Sequence, residues 1–240
     1  MTPLALPDAV LKSKWDTWQQ LQNNGLLAYT RAPEFNLSVG DREDAQAFRN
    51  FYEPFGLILD IGCGPQTYPS YLPETGQVVG IDPLIGEQPR RFSFVQGLGE
   101  YLPFRDETFD QILYASSLDH LIDPRRSLAE AKRCLKPDGR INLWMDGLAS
   151  DGAAPRLPIL RKGFKSLRRH HWFTEIGLRR TLSYIAVVSR MRVPKGASDC
   201  FHFAHFSAEE VFGWLNDLNL RITRRQEDAV GDSVFGQVSK

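Results

Sequence analysis

The chain has 240 residues, enough for one domain with an elaboration, and 42% hydrophobic residues supply a sizeable core. Lysine plus arginine equals aspartate plus glutamate at 29 each, so net charge points to neither nucleic acid nor membrane, and no DNA partner is expected. Three scattered cysteines (Cys63, Cys134, Cys200) argue against a disulfide framework and suit a reducing compartment. With no cationic, apolar leader and no apolar run of membrane-spanning length, a cytoplasmic location without stable membrane insertion is expected.

Residues 1–55 read as an N-terminal helical segment, in which Asp41 to Phe48 opens a stretch that packs Phe48, Phe51 and Tyr52. Residues 56–150 alternate short apolar strands with helical stretches, which predicts a mostly parallel sheet with right-handed crossovers. Leu57-Ile58-Leu59-Asp60-Ile61 breaks into the turn Gly62-Cys63-Gly64, and a second apolar run, Val78-Val79-Gly80-Ile81, ends on Asp82. This is the layout of a nucleotide-type cofactor site at the carboxyl end of a parallel sheet. Gly62 and Gly64 let the backbone pass close to a ligand, and Asp82 can accept both hydroxyls of a ribose. Each piece alone could be an ordinary strand-to-helix turn or a helix cap; their order and spacing carry the argument.

A dinucleotide turn needs a third glycine, but here the chain continues Pro65-Gln66-Thr67. Asp60, just before the turn, would repel a pyrophosphate and attract the ammonium of an amino acid. A cationic cofactor with an amino-acid tail and a ribose is S-adenosylmethionine.

These residues resemble the class I methyltransferases, in particular the broad type 11 group, whose first motif reads D-I-G-C-G-P-G; Gln66 replaces its last glycine. Gly97-Leu98-Gly99-Glu100-Tyr101-Leu102-Pro103-Phe104 is similar to the family's G-D-A-E-x-L-P-F, with Leu98 where an acid is common. Phe109 to Ser116 resembles its fourth strand, and Ser117-Leu118-Asp119-His120, Asp123-Pro124 and Leu135 to Arg140 continue the match. The last of these reads as a helix stop and turn before the fifth strand.

The resemblance covers residues 57 to about 145. It implies an α/β fold: a Rossmann-like sheet of seven strands, the last one antiparallel, with helices on both faces and a helical lid insertion. It implies S-adenosyl-L-methionine as cofactor, with Asp60, Gly62, Cys63 and Gly64 at its methionine end and Asp82 and Pro83 at the ribose. Leu98, Gly99 and Glu100 would border the adenine, and Ala115 and Ser116 would lie beneath the sulfonium. Cys63 itself reads as a small packing residue.

Residues 151–205 form the expected basic lid. Eleven basic residues (Arg156, Arg161, Lys162, Lys165, Arg168, Arg169, Arg179, Arg180, Arg190, Arg192, Lys195) fall between Pro155 and Lys195, against the single acid Glu175. An anionic group on a small-molecule substrate suits such arginines; a solvated face, RNA or lipid headgroups are the alternatives. Leu178, Thr181, Leu182, Ile185, Val188 and Met191 fall at helical spacing and should bury one face of a lid helix. Residues 206–240 are expected to supply a C-terminal helix, opened by a Ser207–Glu210 capping box, and two strands (220–223 and 233–238) that complete the sheet.

His202 and His120 are the catalytic candidates, because a hydroxyl acceptor must lose a proton and a histidine titrates near neutrality. Asp199 to Glu210 is similar to a D-P-x-H-x-x-x-F-[ST]-x-E-E stretch of several type 11 enzymes, with His202 at its histidine and Cys200 at its proline. His205 reads as structural, and His170 and His171 stay unassigned. Cys200, His202 and His205 have spacing a metal could use, but no fourth ligand is evident and no metal is expected. Three functions remain: methyl transfer to a small molecule such as a sugar, glycan precursor or secondary metabolite; methyl transfer to RNA or protein through the basic stretch; or a non-catalytic S-adenosylmethionine-binding partner protein. Oligomeric state is not legible.

Overall fold

The computed structural model describes residues 9–31, 43–87, 89–146, 177–227 and 233–240. Seven strands, β1 (Leu57–Ile61), β2 (Gln77–Asp82), β3 (Ser93–Gln96), β4 (Phe109–Ala115), β5 (Leu135–Asp146), β6 (Arg221–Glu227) and β7 (Ser233–Ser239), form one sheet. Their order is β3-β2-β1-β4-β5-β7-β6. The pairs among β1 to β5 are parallel, and β7 runs antiparallel between β5 and β6, as expected. The helices are α1 (Ala9–Arg31), α2 (Glu43–Tyr52), α3 (Pro124–Cys134), α4 (Leu178–Val188) and α5 (Ala208–Asp217), with a 3-10 turn at Leu118–His120.

Strand periodicity sorts the core into two layers. On one face, Leu59 and Ile61 of β1, Ile112 and Tyr114 of β4, and Ile141, Leu143 and Met145 of β5 pack against α3 and α5. Their alternate neighbours, Ile58, Leu113 and Trp144, point to the other face and meet Phe48, Phe51 and Tyr52 of α2 with Tyr71 and Phe235. Both faces of the central strands are therefore covered, which is why β1 and β4 are nearly continuous apolar runs. On the second face the Phe48 ring lies 5.2 Å from Tyr52, 5.4 Å from Phe235 and 5.6 Å from Trp144. Gln111 ties α2 to β4: its Nε2 donates to the Tyr52 carbonyl at 3.0 Å and its Oε1 accepts from Phe55 N at 2.8 Å. The edge strand β6 is exposed along its length and carries Arg221, Arg224, Arg225 and Glu227, charges that discourage pairing with another chain.

The helix ends follow their sequence signals. Asp123 caps α3 through Arg126 N, with Pro124 in the first turn, and the Ser207–Glu210 capping box opens α5. Two expectations change. The stretch Leu135 to Gly139 belongs to β5 itself: Leu135 pairs with Phe109, the register then jumps to Gln111–Arg140, and Lys136 reaches back to Asp110 at 2.9 Å. Ladder and ion pair hold it in the strand where composition suggests a turn. On α4, Leu178, Leu182 and Ile185 are exposed, whereas Tyr184, Val187 and Val188 are half-buried on the side that meets α1. Helical spacing identified an apolar stripe, but only its far end, Val188 and Met191, is half-buried, and Tyr184 and Val187 join it in place of the exposed leucines and Ile185. The first part of the basic lid, residues 151–176, with Arg156 to Arg169, Glu175, His170 and His171, lies outside the described residues. Among the described residues, no helix is long and apolar enough to cross a membrane.

Phe48 is fully buried at the centre of the aromatic layer. Phe48→Ala should cost about 3–5 kcal/mol in urea unfolding, the usual range for a truncated core phenylalanine. A loss below about 1 kcal/mol would mean that the layer closes over the cavity and that α2 is not anchored by this ring.

Candidate functional site

Strand order reverses between β1 and β4, so the loops at their carboxyl ends diverge and leave a crevice there. Asp60, near the end of β1, is wholly buried. Its Oδ2 accepts from the Tyr71 hydroxyl at 2.8 Å, while its Oδ1 has no hydrogen-bond partner among the described residues. Burial, opposed by the Tyr71 bond and reinforced by the charge of Asp82, pushes this carboxyl up to about 7.

The turn that follows is left-handed at Gly62 (φ 78°) and Gly64 (φ 70°). A Cβ at Gly62 would stand 2.5 Å from the Ser117 Cβ, and one at Gly64 would stand 2.4 Å from Gln66 Oε1. Ser117 holds this approach by donating to the Ile61 carbonyl at 2.6 Å. Cys63 between them is buried and its thiol is pushed up by burial, as befits a packing side chain. Asp82, at the tip of β2, accepts from Gly64 N and Leu84 N, each at 2.8 Å, and burial raises it to about 6. Pro83 follows in the same turn, where its carbonyl accepts from Gln96.

Arg90 is the residue that spacing missed. Its Nη2 donates to the carbonyls of Gly64 at 2.7 Å and Leu84 at 2.8 Å, clamping the loops after β1 and β2 together. Its guanidinium lies 3.5 Å from the Phe94 ring centre. It comes from the connection before β3, and its partners are backbone atoms, which leave no side-chain signature.

Leu98, Gly99 and Glu100 form the next wall. Leu98 packs with Leu11, Trp18 and Ile122, so it faces α1. Gly99 passes so close to Ile61 and Ser127 that a Cβ would stand 2.7 and 2.8 Å from them. Glu100 is buried, and its Oε1 accepts from Ile122 N at 2.8 Å and Asp123 N at 3.1 Å, which builds the start of α3. At the end of β4, Ala115 pairs with Trp144, and Ser116 takes a positive φ of 53°. A non-glycine residue there is strained, and such residues cluster at ligand sites.

Beyond Ser116 the chain brings both candidate histidines together. The rings of His120 and His202 lie 4.7 Å apart, and His205 is 5.0 Å from His202. His120 Nδ1 is 3.1 Å from the Phe201 carbonyl, which can only accept, so that nitrogen carries the proton. Burial holds His120 below the usual histidine range, with Asp119 opposing. His202 Nδ1 meets both oxygens of Asp199 at 2.9 Å, and its Nε2 is 3.5 Å from Asp119 Oδ2. Asp199 also accepts from the backbone N–H of Phe201 and His202 and lies 3.2 Å from His205 Nε2.

The N-terminal helix closes this side. From α1, Trp18 Nε1 donates to the His120 carbonyl at 3.0 Å, Asn24 to Cys200 at 2.8 Å and Thr17 to Lys195 at 3.1 Å. Tyr29 of α1 and Tyr184 of α4 are raised chiefly by burial, Tyr184 to about 12. Tyr29 also feels the charges of Asp82 and Asp119. Neither tyrosine was singled out from sequence, because nothing local marks them.

Residues 59–143 match the methyltransferase domain family. This stretch, about a third of the chain, is similar to a methyltransferase domain. An uncharacterized methyltransferase of Schizosaccharomyces pombe is 38% identical over 105 residues, 35% of this chain and 37% of that protein. A demethylmenaquinone methyltransferase of Clavibacter sepedonicus is 31% identical over 119 residues, 45% of each chain. The chain thus spans less than half the length of these curated relatives. Among solved structures, a Burkholderia thailandensis 1,6-didemethyltoxoflavin-N1-methyltransferase with bound S-adenosylhomocysteine superposes with a TM-score of 0.61 at 14% identity. That superposition covers 100% of this chain and 92% of the other, and extends the likeness in fold well beyond the matched core.

Gly62 is constrained twice, by the Ser117 side chain against it and by its own positive φ. Gly62→Ala should destabilise the protein by about 1–3 kcal/mol, because the new methyl must displace Ser117 and the φ stays unfavourable. Thermal and urea unfolding check this. A neutral outcome would show that the turn relaxes freely and is not held by Ser117.

Proposed function

We propose that the chain is an S-adenosylmethionine-dependent methyltransferase acting on a small molecule. The observation that carries this is the buried Asp60 Oδ1, without a partner among the described residues, in front of a glycine turn that leaves no room for side chains. An ammonium suits that atom: it satisfies the oxygen and favours the ionised carboxylate. Asp82 would turn to the ribose hydroxyls, Pro83 would border them, and Cys63 would pack beneath the turn. Leu98, Gly99 and Glu100 would shape the adenine wall, and Ala115 with Ser116 would form the floor under the sulfonium.

When bound, the cofactor supplies a methyl group already attached to a good leaving group. The protein's part is to align the acceptor in line with it, exclude water and take up any proton the acceptor loses. His120 suits the last task, since its proton is committed to the Phe201 carbonyl and the Nε2 lone pair is left for the acceptor. His202, fixed by Asp199, borders the same space. The cover laid down by α1, with Tyr29 and Tyr184 beneath it, supports an enclosed small acceptor over a long polymer. The wall at the histidines carries Asp119 and Asp199, which favours a neutral or cationic reacting end; an anionic group, if the acceptor has one, would lie toward the lid. A second reading, docking of RNA or protein, draws on Arg179, Arg180, Arg190 and Arg192, all exposed on and after α4.

Calorimetry with S-adenosylhomocysteine, with NAD as control, tests the cofactor assignment. Micromolar binding of the first and none of the second is expected, and Asp82→Ala should weaken it several-fold by removing charge-assisted hydrogen bonds. No binding by the parent protein would sink the proposal. Affinity should also rise with pH. Asp60 and Asp82, raised to about 7 and about 6, are largely protonated in mildly acidic solution, and the ligand wants them ionised. Binding therefore releases protons, and affinity climbs by at most about tenfold per pH unit for each proton released, levelling off above pH 7. A flat profile between pH 5.5 and 8 would remove the ammonium from Asp60. With an acceptor in hand, His120→Gln should lower turnover at least tenfold and leave S-adenosylhomocysteine affinity intact; parallel losses would make His120 structural.

A further inference from the structure

We propose that Asp119, His202 and His205 form a binding site for one divalent transition metal of the zinc class, beside the space assigned to the acceptor. One ligand atom from each of the three lies within 4.8 Å of the others. The decisive distance is the 3.5 Å between His202 Nε2 and Asp119 Oδ2. That is beyond the usual N–H···O range of about 2.7–3.2 Å. It is close to the edge of a zinc tetrahedron, where two ligand atoms about 2.0–2.1 Å from the ion stand about 3.3–3.4 Å apart.

Asp199 adds the second, independent observation. A metal-bound histidine commonly donates its other ring N–H to a carboxylate, which fixes the tautomer and aims the ring. Asp199 plays that part twice, at 2.9 Å from Nδ1 of His202 and 3.2 Å from Nε2 of His205. The proton then sits on His202 Nδ1, and the His202 Nε2 electron pair is directed toward Asp119. On His205 the pair falls on Nδ1. Without an ion, a neutral His202 would aim an electron pair at a carboxylate. A dication resolves that contact and balances Asp119 and Asp199 together.

Spacing alone suggested Cys200 with the two histidines, and no metal was expected for want of a fourth ligand. Folding replaces Cys200 with Asp119, which the 3-10 turn after β4 delivers from 80 residues away and which the Phe203 N–H joins at 3.3 Å by its carbonyl. Three protein ligands leave at least one position of the ion for an outside group. That group would be an oxygen or nitrogen of the acceptor, so the class of substrate is one that offers a metal-binding donor next to the methylated atom. This placement rests on the acceptor-side assignment above; the metal site itself does not.

The test uses untagged full-length protein, stripped with a chelator and titrated with Co²⁺ under visible absorption, with Zn²⁺ as competitor. One equivalent of Co²⁺ per chain, giving the ligand-field bands of a low-coordinate site and displaced by Zn²⁺, is expected. His202→Gln and Asp119→Asn should each lower affinity at least tenfold, and Asp199→Asn by about tenfold to a hundredfold. Circular dichroism and S-adenosylhomocysteine calorimetry verify that each variant is folded; if His202→Gln is not, Asp119→Asn and His205→Gln decide. No Co²⁺ uptake by the parent, or uptake unchanged in the folded variants, overturns the site. Cofactor binding without Co²⁺ would refute the metal alone, and Co²⁺ uptake without cofactor binding would refute the methyltransferase assignment alone.

Discussion

Two carboxylates buried side by side, Asp60 and Asp82, are the constraint around which this fold is arranged. Burial raises the affinity of both for a proton, and the charge of Asp82 raises that of Asp60 further. The surrounding groups answer that cost: the Tyr71 hydroxyl, the N–H groups of Gly64 and Leu84, and Arg90 beside them. Only donors that come very close can do this, which is why the intervening turn is glycine on either side of a small, buried cysteine. One oxygen of Asp60 is left out of the settlement, and a site for a cation follows from the folding problem itself.

The aromatic layer on the α2 face serves the same end. Tyr71 bonds Asp60 through its hydroxyl and accepts from Tyr52 through its carbonyl at 2.8 Å, so the packing of α2 and the state of the carboxylate are linked. Phe48 and Trp144 hold the Tyr71 ring at 6.2 and 6.4 Å, edge-on. A residue whose ring belongs to the core and whose tip belongs to the site cannot be exchanged for phenylalanine without exposing the buried charge.

What was legible in the sequence was local. Asp60, Gly62, Gly64 and Asp82 announce themselves because a strand, a tight turn and the next strand occupy one short stretch, and the parallel pairing follows from repeating that unit. The capping box of α5 was equally plain. Arg90, Tyr29 and Tyr184 were invisible because their partners are backbone atoms or residues far along the chain. The exposed Leu178, Leu182 and Ile185 show a different limit: an amphipathic pattern states that a helix has an apolar side, and only the neighbouring element decides which side is covered. Leu135 to Gly139 erred for a related reason, since pairing with Phe109 outweighs proline and glycine. Asp119 and His202 were each noticed, but nothing in one dimension brings them within 3.5 Å.

The lacing of α1 across the histidines joins the earliest part of the chain to a late one: Thr17, Trp18 and Asn24 bond to backbone at residues 195, 120 and 200. On a ribosome, the residues of the glycine turn and its two carboxylates are made before residue 100 and Ser117, which holds the turn, soon after, while the other half of the crevice must wait for residues near 200. A nascent chain therefore passes through a stage in which the residues of the cradle have been made and those near 200 that Thr17 and Asn24 bond have not. Ligand captured by the cradle at that stage would favour the sheet before the long-range contacts exist, so the two halves of the crevice differ in biosynthetic age as well as in chemistry.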